Sequence, residues 1–335
     1  MKMKALALLI LTGALLAGCS AQTGDTNVAQ SNQNSKPAPT NMNLHEGINQ
    51  PPVPVIVKRT GDHEVYVEMT SQITDLEIAP GVKYKAWTFN GTAPGPVIKV
   101  KEGDTIKFKM KNLDPKVPHS MDFHAVHASP SKDFADIHPN EEGVFTYPAM
   151  TPGVFMYHCG TKPVLLHIAN GMYGTIIVEP KDGYPTDKEI NREFIITQSE
   201  FYKENDLNDM TNGVPSYVLF NGKHPDLSKP FYAKVGDKVR IYFNNVGPNE
   251  VSSFHVVGTT FDTVYVDGNP KNVLNGLQAY TVPASGGLVV EFRVLKEGTY
   301  PIVTHQFNHV QKGALAKLIV TADGNPPQTA DKSSH

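Results

Sequence analysis

The chain has 335 residues, 40% of them hydrophobic and 19% charged, with a net charge of -3 and a sequence pI of about 6.5. This length suits two domains with a sizeable core and excludes a disordered polyelectrolyte. The near-neutral balance argues against nucleic acid or an anionic membrane surface as a partner.

The N-terminus reads as a targeting segment. Lys2 and Lys4 precede an almost wholly apolar run, Ala5 to Ala17, that is too short for a comfortable bilayer span. It closes with Leu16-Ala17-Gly18-Cys19, which resembles the bacterial lipobox. That resemblance implies removal of residues 1–18 as a lipoprotein signal peptide and lipidation of Cys19. Residues 19–50 are rich in Ser, Asn, Gln, Thr and Ala without apolar periodicity, the composition of a flexible tether. The folded part is therefore expected outside the cytoplasm, lipid-anchored to the bacterial cell membrane.

From Pro51 onward, short alternating runs are broken by Gly, Pro, Asn and Asp. Thr105-Ile106-Lys107-Phe108-Lys109-Met110 and Lys238-Val239-Arg240-Ile241-Tyr242-Phe243 are examples. Period-two alternation with regular turns predicts an all-β protein built as β-sandwiches. The pattern also repeats. Phe89-Asn90-Gly91 matches Phe220-Asn221-Gly222, and each is followed by a Gly-Asp turn and a strand ending in Asn. His119 then pairs with His255, and the Gly153-to-His158 segment pairs with Gly298-to-His305. The offset fits a duplicated domain, giving domains over 51–185 and 186–325 and a tail over 326–335.

Chemistry concentrates in the first half. With Cys19 lipidated, Cys159 has no disulfide partner, and a lone thiol in an oxidising compartment must be buried or metal-bound. It stands in Tyr157-His158-Cys159, with His167 and Met172 downstream. Thiolate, imidazole and a weak thioether are the ligands of a blue-copper electron-transfer site. Side chains alternate along a strand, so His119 and His124, like His158 and Cys159, face opposite sides if extended. One partition sets His119 and Cys159 inward with His167 and Met172. The other sets His124 and His158 outward, a metal site that needs a third ligand and keeps one position open. The second half offers His255, His305 and His309; His305 is preferred because it follows the same glycine-tyrosine-strand pattern as His158. Adjacent His158 and Cys159 share a peptide bond, a short route between the two sites.

Pro118-His119, Asp122-Phe123-His124, His158-Cys159, His167 with Met172, Ser253-Phe254-His255-Val256-Val257-Gly258 and Val303-Thr304-His305 together resemble the copper-containing nitrite reductases. The resemblance runs from about Pro51 to Thr321. It implies two tandem Greek-key cupredoxin β-sandwich domains, a homotrimer, and two coppers per subunit. A type 1 copper would take His119, Cys159, His167 and Met172. A type 2 copper would take His124 and His158 from one subunit and His305 from its neighbour. Asp122 matches the family's catalytic aspartate, His255 its catalytic histidine, and Val257 a residue shaping the substrate pocket. The implied reaction is one-electron reduction of nitrite to nitric oxide, fed by an extracytoplasmic donor such as a cytochrome c or a small cupredoxin.

Two other classes compete. A two-domain multicopper oxidase needs His-x-His pairs, and none occurs here. A tethered blue-copper carrier explains Cys159 but leaves Asp122, His124, His158, His255 and His305 idle. Two departures from the family pattern stand out: the Cys159–His167 loop, which contains Lys162-Pro163-Val164, is a residue shorter, and Thr259-Thr260-Phe261 follows His255 where many relatives have Gly-His-Gly, which bears on the support of His255. His127 and His138 read as solvated loop residues, and His45, His63, His224 and His335 as surface or tether residues. Trp87 reads as packing.

Overall fold

The structure is a computed structural model and describes residues 57–204 and 206–327. The signal segment, Cys19, the tether, His45 and His335 lie outside the described residues. The first half contains β1 (Lys58–Gly61), β2 (Glu64–Ala79), β3 (Val82–Phe89), β4 (Ile98–Lys101), β5 (Thr105–Asn112), β6 (Asp122–Phe123), α1 (Pro130–Asp133), β7 (Glu142–Pro148), β8 (Gly153–His158), α2 (Val164–Ala169) and β9 (Tyr173–Glu179). A 3-10 turn over Asp187–Glu189 then leads into β10 (Arg192–Phe201), α3 (Leu207–Thr211), β11 (Tyr217–Phe220), β12 (Phe231–Lys234) and β13 (Lys238–Asn245). The chain closes with β14 (Ser252–Val256), β15 (Phe261–Val266), β16 (Val273–Leu277), β17 (Ala279–Val282), β18 (Gly286–Arg293), β19 (Gly298–Thr304), α4 (Phe307–Gln311) and β20 (Leu315–Thr321). No helix among the described residues is long and apolar enough to cross a membrane.

Each half is a two-sheet sandwich. The first packs β1-β2-β5-β7, with β3 on β2, against β4-β9-β8-β6; the second packs β11-β10-β13-β18-β15-β16 against β12-β20-β19-β14-β17. Strand β5 shows why. Ile106, Phe108 and Met110 are fully buried while the intervening lysines point outward, and each such side chain contributes roughly 2–3 kcal/mol on leaving water. Lys99, Lys107 and Lys109 pair with Glu179, Glu64 and Glu142 across neighbouring strands.

Strand β13 has the same alternation but is buried at every position. Its second face lies under the first domain, because β8 packs on β13 and β18. Val97, Val154, Ile177, Tyr184, Ile195, Tyr242, Tyr265 and Val289 form an apolar seam between the two halves. The approach is close enough that a Cβ at Gly287 would sit 1.8 Å from the Val154 carbonyl oxygen. The polar members of the buried face are neutralised. Arg240 donates to Glu291, Asp187 and Glu193 and lies 4.5 Å over the Tyr184 ring.

The internal repeat is visible in matched hydrogen bonds. Asn90 and Asn221, at φ of 53° and 54°, cap Thr70 and Thr197 in the same way. Asn112 and Asn245 each donate to the carbonyl five residues on, Val117 and Glu250. These contacts correct the sequence register around the histidines. The backbone N–H of Ser120 donates to Cys159 Sγ, and that of Ser253 donates to Thr304 Oγ1. Thr304, not His305, is thus the counterpart of the residue after β8, and His255 stands opposite Asp122. Counting from Gly153 and Gly298, which open β8 and β19, yields this register; matching histidine to histidine hides it.

Candidate functional site

Strand β8 ends at His158, and Cys159 follows it into a closed loop. The Cys159 amide donates to the Met172 carbonyl at 3.1 Å, and α2 within that loop carries His167. The segment Lys162-Pro163-Val164 is the start of this helix, with Pro163 as its N-cap. His119 enters from the other side, pinned by reciprocal backbone bonds with Ile137 at 3.1 and 2.8 Å. Cys159 Sγ lies 3.3 Å from His167 Nδ1 and 3.8 Å from His119 Nδ1, and the two Nδ1 atoms are 3.2 Å apart. All three residues are at most 1% exposed, and Met172 is fully buried in the same core.

The electrostatics suit a metal ion. Burial lowers the His167 pKa to about 4, helped by His119, and burial lowers that of His119 as well. Both rings are therefore neutral lone-pair donors at pH 7. Burial pushes the Cys159 thiol up, so a thiolate there needs a cation. Two imidazoles and one unpaired buried thiol, with a buried thioether nearby, are a donor set for copper.

Sequence reasoning missed three neighbours of this group. Asp114 Oδ2 lies 3.4 Å from His119 Nε2. Trp87, read as packing, sets its ring edge-on against His167 and His119, with centroids 4.9 and 5.9 Å away. Ser120 Oγ accepts from the Gly160 amide and lies 3.2 Å from Thr161 Oγ1, whose own proton goes to Asp136. Asn112-Leu113-Asp114-Pro115 is legible as a turn, but no sequence signal directs the carboxylate at His119.

The second group faces outward. Strand β6 pairs Asp122 with His158. His124 Nε2 lies 3.0 Å from His158 Nε2, and Asp122 Oδ2 lies 3.7 Å from the same nitrogen. His158 Nδ1 donates to the Cys159 carbonyl oxygen at 2.9 Å, which leaves Nε2 to ligate. Burial and the facing His158 ring lower the His124 pKa, with Asp122 opposing. Among the described residues, the ligand atoms gathered within 4.8 Å here are those of Asp122, His124 and His158. Among the described residues, none of the second half joins them within one chain.

His255 and His305 form a separate pair on the second half, with ring centroids 5.2 Å apart. His305 is exposed at the end of β19, edge-on to the exposed Phe307, and Val257 is 40% exposed. The support of His255 comes from the corner between β16 and β17, where Nδ1 donates to the Gln278 carbonyl. His309 is different. The chain turns into α4 after His305, so His309 is 2% exposed, with Nε2 3.8 Å from Glu250. His309 is in fact the counterpart of His167: Met172 N bonds His167 O as Ala314 N bonds His309 O. With Ser252 and Thr304 opposite His119 and Cys159, the second half carries the same pocket stripped of thiolate, thioether and one imidazole. His63, His127 and His138 are exposed, while His224 is half-buried and pairs with Asp226 at 3.4 Å.

Comparison with known proteins agrees with this geometry. Two family models, each described as multicopper oxidase, match residues 70–183 and 201–324. A copper-containing nitrite reductase from Neisseria gonorrhoeae is 39% identical, covering 85% of this chain and 75% of its own. The solved copper nitrite reductase from Nitrosomonas europaea is 40% identical with a TM-score of 0.75, covering 79% of this chain and 96% of that one. That from Thermus scotoductus is 38% identical with a TM-score of 0.71, covering 79% and 63%.

Proposed function

The chain belongs to the copper-containing nitrite reductases, and from that premise we propose how its residues divide the work. The reaction joins one electron and two protons to nitrite and releases nitric oxide and water. His119, Cys159, His167 and Met172 hold a type 1 copper. His124 and His158 hold a type 2 copper whose third ligand is His305 of a neighbouring subunit in a homotrimer. Copper in these two ligand sets supplies the electron storage and Lewis acidity of the reaction when bound.

The protein's own groups do the rest. His158 and Cys159 tie the two ligand sets together through one peptide bond and the hydrogen bond from Nδ1 to the Cys159 carbonyl. Asp122, half-exposed beside the outward histidines, hydrogen-bonds a substrate oxygen and passes it a proton. His255, whose Nδ1 is committed to Gln278, offers Nε2 for the other proton directly or through water. Val257 closes the pocket wall. A cytochrome c or small cupredoxin outside the cytoplasm supplies the electron, and a lipid on Cys19 keeps the enzyme at the membrane, in keeping with the lipobox-like Leu16-Ala17-Gly18-Cys19.

The observation that carries the shared type 2 site is its division. One chain presents two imidazoles 3.0 Å apart at one place and an exposed His305 beside His255 at another. Each half is incomplete. Co-expression tests this: His124→Ala and His305→Ala subunits, each inactive alone, should regain type 2 copper and nitrite turnover in mixed assemblies. Absence of any recovery in mixed assemblies would sink the shared site.

A further inference from the structure

We infer that Asp114 is a positioning residue that sets the reduction potential of the copper held by Cys159, by holding His119 through a charged hydrogen bond. The inference rests on the type 1 reading above. Asp114 is fully buried, and its two oxygens have separate tasks. Oδ1 accepts from the backbone N–H groups of Lys116 at 2.8 Å and Val117 at 3.0 Å. Oδ2 has His119 Nε2 at 3.4 Å. His119 Nδ1 is the nitrogen that faces Cys159 and His167, so Nε2 carries the proton and donates it to the carboxylate.

The carboxylate is held independently of the ring. The Asp114 N–H donates to Asn112 Oδ1, and Asn112 Nδ2 donates to the Val117 and Ile137 carbonyls. Three donors converge on the carboxylate, the Lys116 and Val117 amides on Oδ1 and His119 Nε2 on Oδ2, and hydrogen bonds of this kind favour the ionised form.

The second half of the molecule provides an internal control. There Gly247 occupies the place of Asp114 and closes the same turn on Asn245 Oδ1. Ser252 stands where the first half has His119. The matching turn closes on Asn245 Oδ1 with no carboxylate at this position, and a carboxylate stands there only in the half with a histidine at the place of His119. Oδ1 serves the turn, and Oδ2 is left for the histidine.

The physical consequence has one sign. A carboxylate accepting the Nε2 proton makes the imidazole a stronger donor through Nδ1. A fixed negative charge in a buried site also favours the more positive metal state. Both effects stabilise the oxidised over the reduced copper and lower the potential. The exposed Asp136, bonded to Thr161, adds to the same field but touches neither ring.

The test is a spectroelectrochemical titration of the thiolate-to-copper absorption band in the fully loaded full chain, comparing wild type with Asp114→Asn and Asp114→Ser. Both neutral variants should keep the band and their copper, and both should titrate at a higher potential. A band that is present but titrates at an unshifted or lower potential overturns the role of Asp114. Failure of both variants to load copper, with their metal-free stability unchanged, would make Asp114 a loading residue and overturn it too. Absence of the band from wild type would instead refute the type 1 reading beneath it.

Discussion

His158 Nδ1 donates to the carbonyl oxygen of the next residue, Cys159, at 2.9 Å. This one contact fixes the tautomer and tilt of the ring, so that Nε2 points away from the buried thiol and toward His124. It also adds a hydrogen-bonded link beside the covalent one between the two ligand sets. A strand end followed at once by a loop residue lets two consecutive side chains serve sites on opposite faces.

Replacing His158 by Ala removes one of two outward imidazoles and its bond to the Cys159 carbonyl, while leaving the side chains of the buried group in place. The variant is expected to lose the outward copper, keep the thiolate absorption band, and lose at least about 100-fold in nitrite turnover. Metal analysis with absorption spectroscopy checks this; full copper content in the variant would contradict it.

Asp122 ligates nothing in the scheme, so Asp122→Asn should retain copper. Loss of the proton-carrying group is expected to lower kcat by about 100- to 1,000-fold. Steady-state turnover on copper-replete protein is the measurement, and an unchanged kcat would remove Asp122 from the proton route.

His309 supplies a pH dependence of stability separate from either ligand set. Burial depresses its pKa in the fold, with Glu250 opposing. The unfolded chain therefore takes up a proton at His309 before the folded one does. Its contribution is fully present above the unfolded value of about 6.5 and is lost as pH falls toward the lower folded value. Urea unfolding should show wild type losing stability faster than His309→Gln on acidification below about pH 6.5. Parallel profiles would contradict this.

Arg240 is 2% exposed and pairs with the fully buried Glu291 beneath the link between the domains. Arg240→Ala leaves that carboxylate buried without its main partner, at an expected cost of about 3–5 kcal/mol. A denaturant midpoint close to that of wild type would show that Lys238, 3.7 Å from Glu291, compensates.

The all-β architecture was legible because strand alternation and turn residues are local signals, as Ile106, Phe108 and Met110 show. The same alternation does not reveal that both faces of β13 are buried, with Arg240 and Tyr242 lying under the first domain. Cys159, His167 and Met172 stood out because one short loop brings them together. Asp114 and Trp87 did not, since their contacts with the histidine rings depend on how the turn before His119 and the end of β3 pack around them. The preference for His305 over His309 has a local reason that the sequence does not display: Phe307–Gln311 coils into α4 and carries His309 inward. No feature of that stretch has the periodic apolar stripe from which a helix is read.

The central claim is that this chain builds two copper sites of different kind and reduces nitrite at the outward one. Copper content and paramagnetic resonance of the full chain, taken with anaerobic nitrite turnover from a reduced dye, test it most directly. The expected result is two coppers per chain, one coupled to a thiolate absorption band and one with an axial signal that changes on adding nitrite, with nitric oxide released. One copper per chain, or undiminished turnover in His305→Ala protein that has lost the axial signal, would contradict it.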